Sequence, residues 1–100
     1  MEKETARKEK FQALLDAMSA QVEGVQAILR KSDDRTRLRL SPMVEGLGAK
    51  HRELRSLVRK LQQADDDDFD SHIRRVDGVL LDVLFLLNLV MADLLNIPRR

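Results

Sequence analysis

Cysteine, tryptophan and tyrosine are absent from this 100-residue chain, and glycine (four), proline (two) and phenylalanine (three) are scarce. Without cysteine there is no disulfide framework and no thiolate chemistry, which fits an expected cytoplasmic location. Two histidines and no cysteine leave a transition-metal site thinly supplied. No glycine-rich phosphate loop and no recognisable nucleophile constellation is present, so a non-enzymatic role without a cofactor is expected. The opening MEKETARKEK has no apolar segment after its charges, so a secretory signal is not expected either. Net charge is also nearly lacking, at +1, although charged residues make up 35% of the chain. The balance hides a gradient: residues 30–60 carry ten basic and four acidic groups, residues 61–100 four and eight. Helices of opposite sign can then attract one another, or copies can dock head against tail.

What remains is a helix former's composition, long enough for a single domain over residues 1–100. From about Thr5 to Arg30, Phe11, Leu14, Leu15, Met18, Val22, Val25, Ile28 and Leu29 recur at coiled-coil-like three- and four-residue spacing, which predicts an amphipathic helix. Its small residues, Gly24 among them, invite close approach of a neighbour. The stretch Lys31–Leu40 breaks the period and contains Ser32, Asp33 and Asp34, so a connection is expected there, with Leu38 and Leu40 both turned inward. Ser41 and Pro42 read as N-cap and first position of a second helix running to about Gln63, with Met43, Val44, Leu47, His51, Leu54, Leu57, Val58 and Leu61 on its apolar stripe. The aspartates of DDDDFD end that helix and cap a third, expected over about 71–97 and stopped by Pro98.

The third helix dominates the chain. Fifteen of the nineteen residues from Val79 to Ile97 are apolar, interrupted by Asp82, Asn88, Asp93 and Asn96. Val76, Val79, Leu80, Val83, Leu84, Leu86, Leu87, Val90, Met91, Leu94 and Ile97 form a stripe wider than the ~100° of an ordinary surface helix. Leu81, Phe85 and Leu89 lie off that stripe, four apart. The expected fold is therefore an all-α, antiparallel three-helix bundle, up-down-up, with the third helix central and forming an oligomer interface from Leu81, Phe85, Asn88, Leu89 and Ala92. A homodimer is the first expected assembly, another helical protein the second. Asn88 needs a hydrogen-bond partner among leucines, and the same Asn in a second copy is its cheapest one. Bilayer insertion is not favoured, because an Asp near the helix centre costs about 2.5–3.5 kcal/mol against roughly 0.3–0.6 gained per large apolar residue.

The leading functional expectation is an interaction protein: an adaptor, small chaperone or assembly subunit. Two alternatives rest on specific residues. Arg52, Arg55 and Arg59 share one helical face that could meet nucleic-acid phosphates, although no aromatic stacking residue accompanies them. Asp66, Asp68, Asp70 and Asp77 occupy the spacing of a calcium loop between two helices, but Ser71 stands where that loop's sharp turn wants Gly.

Overall fold

A computed structural model describes residues 2–95, which form three helices of 30 residues each: α1 (Glu2–Lys31), α2 (Asp34–Gln63) and α3 (Asp66–Leu95). A helix of this length is about 45 Å long, and the molecule measures 55 × 18 × 17 Å. Two-residue connections join the helices, so they lie side by side.

Each helix earns its place by a regular seam. On α1 the buried residues are Leu15, Met18, Val22, Val25 and Leu29. On α2 they are Leu40, Val44, Leu47, His51, Leu54, Val58 and Leu61, joined by Leu57 and Gly48, and on α3 Phe69, Val76, Val83, Leu87 and Val90. The three- and four-residue steps are those of coiled-coil packing, in which each apolar side chain fills a hole on the facing helix. No close approach occurs at Gly24, which is exposed with open space around it; Gly48 is buried, and an added Cβ there would meet the Gln26 side chain in ordinary contact at 3.5 Å.

Several expectations are corrected. The second helix begins eight residues before Pro42, at Asp34, and its N-cap is Asp33, whose carboxylate accepts from the Thr36 amide at 2.8 Å. That bond holds the Asp33 carboxyl below its usual pKa. Pro42 sits inside the helix, where it cannot donate to the carbonyl four residues back. The deficit is tolerable because Leu38, whose carbonyl loses that donor, lies on an outer surface at 83% exposure; Ser41 meanwhile donates its hydroxyl to the Arg37 carbonyl. Only Leu40 of the expected pair is therefore inward.

The third helix starts at Asp66 rather than at Ser71, with the Asp68 amide donating to the Asp65 carbonyl at 3.1 Å. Carboxylates in this first turn face the positive end of the helix dipole. Phe69, read as part of a loop, is a core residue, 3% exposed. The third helix is not central: α2 packs against both neighbours, and α1 and α3 touch each other least. Expectations for Ile97, Pro98 and the terminal arginines lie outside the described residues.

The pairs that tie the helices together follow from the charge gradient. Lys8 of α1 donates to the carbonyls of Gln62 (3.3 Å) and Ala64 (3.2 Å) at the end of α2, where Gln62 returns a bond to the Lys8 carbonyl at 2.9 Å. The Lys8 ammonium also lies 6.0 Å from the centre of the Phe69 ring, within cation–π range. Midway along the bundle basic α2 meets acidic α3 through Lys50 and Asp82 at 3.5 Å, and near the other end through Arg39 and Asp93 at 3.9 Å. These pairs are largely solvated and contribute little stability each, but they turn Asp82 and Asp93 toward α2.

Candidate interaction face and polar groove

With Asp82 and Asp93 drawn to α2, the opposite side of α3 is left without a charged residue between Leu81 and Leu95. Leu81, Phe85, Asn88, Leu89 and Ala92 are all exposed, Leu81 and Phe85 at 64% each. Leu84 and Met91, expected on the core stripe, are exposed too, and Leu95 extends the patch. The reason is geometric: α3 is apolar over most of its circumference, and the seam against α1 and α2 is only wide enough for Val76, Val83, Leu87, Val90 and the half-buried Ile73, Val79, Leu80, Leu86 and Leu94. Leu81, Phe85, Asn88, Ala92 and Leu95 repeat the same four-three-four-three spacing as the buried seams, on the outside of the bundle. Asn88 sits in the middle of this second seam, exposed rather than enclosed by its own chain.

By length and composition α3, from Asp67 to Leu95, is sufficiently apolar to cross a membrane. Core helices of soluble bundles pass the same test, but they are mostly buried; here 22% of the most apolar stretch is buried. The apolarity of α3 is thus not accounted for by its own bundle.

A second feature lies between α1 and α2: a groove of about 450 Å³ whose floor holds Ser19 and His51 and whose rims carry Asp16 and Glu23 on one side, Arg55 and Arg59 on the other. Ser19 Oγ and His51 Nε2 are 2.7 Å apart and share a hydrogen bond. His51 is 8% exposed. Burial lowers its pKa from 6.5, reinforced by Arg55 and Arg52 and opposed by Glu23. The pair has the atoms of a nucleophile and base, but both residues lie in mid-helix, where neighbouring amides already donate along the helix and none is free to hold an oxyanion. The bond satisfies both polar side chains across the α1–α2 seam.

The sign of the resulting pH dependence follows. The folded state holds His51 neutral more strongly than the unfolded chain does, so stability is complete above about pH 6.5 and falls as the pH drops below it toward the depressed folded value. Urea unfolding at pH 7.5 and 5.5 should show that loss, and His51→Gln should flatten it; an unchanged slope in the variant overturns the assignment.

The alternative sites fare differently. Arg52, Arg55 and Arg59 are exposed along one outer face of α2, lining a shallow hollow with Ser56, and none makes an ion pair among the described residues. The calcium-loop spacing falls on a helix rather than a loop: residues 66–77 are all helical, and a helix turns Asp68 and Asp70 about 160° apart, while the side chain of Asp66 lies outside the described residues. Among the described residues no group of three or more His, Asp or Glu side chains is placed to hold a metal. Missed by sequence reasoning were the Ser19–His51 bond and the Lys8 clasp, which join residues 32 and more than 50 positions apart and leave no local signal.

No family model matches this chain, and neither a curated protein nor a solved structure is significantly similar to it.

Proposed function

We propose that this chain is a non-enzymatic helical interaction protein, an up-down-up bundle that works in the cytoplasm as an adaptor, small chaperone or assembly subunit by docking the outer face of α3 against a second copy of itself. The observation that carries the reading is the exposed seam of Leu81, Phe85, Asn88, Ala92 and Leu95, built to the same spacing as the seams inside the bundle. A continuous apolar surface of this kind favours association. Asn88 at its centre favours protein over lipid, because another copy offers the amide a partner that hydrocarbon does not. Sedimentation across a concentration series tests the reading: a dimer supports it, and a monomer throughout overturns it.

A second reading has one specific observation in its favour, the exposed row of Arg52, Arg55 and Arg59 on α2, which makes no ion pair among the described residues. It predicts binding to mixed-sequence DNA or RNA that weakens steeply with salt. No binding at low salt ends it.

A further inference from the structure

Resting on the dimer reading above, we infer that the two α3 helices pair antiparallel, with a two-fold axis passing beside Asn88. The outer seam is self-complementary about that residue. With Asn88 opposite its own copy, Leu81 falls opposite Leu95 of the partner subunit, Leu84 opposite Ala92 of the partner subunit and Phe85 opposite Met91 of the partner subunit. Every one of these side chains is exposed in the single chain, so the pairing covers these residues with one another; Leu89, whose level partner is the buried Leu87, flanks the contact. A two-fold interface requires this correspondence, since residue i meets j wherever j meets i.

Charge decides between this arrangement and the parallel one. Arg74 is exposed and lies seven residues before Leu81, on the line that runs through Leu81, Phe85 and Ala92; Asp77 is exposed on the flank of the same face. In a parallel pair each residue meets its own copy, so Arg74 would oppose Arg74 of the partner subunit, and Asp77 would lie near its own copy. Like charges so placed disfavour the pairing. In the antiparallel pair centred on Asn88 the level of Arg74 lies past the described end of the partner's α3, and the overlap from Leu81 to Leu95 holds no charge on the contact face. Asp82 and Asp93 remain turned to Lys50 and Arg39, off the contact. The two Asn88 amides, meeting across the axis, fix the register, because a slip of one heptad would set each against leucine.

The absence of cysteine from the chain makes the test direct, since every introduced thiol is alone. Leu81→Cys and Leu95→Cys chains of distinguishable mass are prepared separately and mixed before mild oxidation, with circular dichroism to verify folding. Antiparallel pairing brings residues 81 and 95 to disulfide distance, a Cβ separation of about 3.5–4.5 Å. The mixture should give the mixed disulfide as the main covalent product, and each variant alone little. Asn88→Cys alone should cross-link in full. Self-linked Leu81→Cys at the expense of the mixed product overturns the antiparallel assignment while keeping the dimer. Failure of Asn88→Cys to cross-link in a chain that sediments as a dimer removes α3 from the interface. A monomer that binds phosphatidylcholine vesicles instead overturns both this inference and the reading beneath it.

Discussion

Replacing Phe85 by Ser and Leu89 by Gln together should leave a fully helical chain whose mass by light scattering is that of the monomer. Both side chains are exposed within one copy, so their loss costs the bundle little. Full burial of side chains this large is worth roughly 1.5–3 kcal/mol each, of which the exposed part remains to be gained on docking. A two-fold interface uses each residue twice, so the double change weakens association by about a hundredfold or more, with roughly 1.4 kcal/mol per factor of ten. Circular dichroism separates the outcomes: an intact helical signal with unchanged dimer mass counts against the α3 face.

The opposite result is expected inside the bundle. Leu54 is 1% exposed on α2, the helix that packs against both others. Leu54→Ala removes a fully buried side chain and leaves a cavity in the core, a loss of about 2–5 kcal/mol. That is a large part of the total stability of an ordinary domain of this size. Urea unfolding measures it directly. A loss under about 1 kcal/mol would mean that α2 does not hold the core as described.

The contrast between these two substitutions shows what was readable in the residues beforehand. The alternation of three and four identified Leu15, Met18, Val22, Val25 and Leu29 on α1 and Val44 to Leu61 on α2, because burial on one side of a helix leaves a period in the sequence; Leu14 and Ile28, on the same expected stripe, are exposed. On α3 the period blurs, since apolar residues run nearly all round; Leu84 and Met91 were assigned inward, and only packing decides that they face out. The start of α2 was misread because Ser32-Asp33-Asp34 suits a turn and an N-cap equally, and Pro42 was the stronger local stop signal. The residue whose carbonyl loses its donor to Pro42 is Leu38, at an exposed position where water can replace the bond, so the helix continues through it. Phe69 was hidden among aspartates whose charge signalled a loop, although three carboxylates at a helix start serve the dipole equally well.

Lys8 has a consequence for how the molecule comes apart. It reaches the last carbonyl groups of α2 and lies near the Phe69 ring, so all three helices are gathered at that end. The other end relies on a solvated Arg39–Asp93 pair beside a helix interrupted by proline. Thermal opening should then have a direction, with the last turns of α3 parting first from the α1–α2 connection, like a hinge pinned at its far side, and amide exchange there outpacing exchange near Lys8.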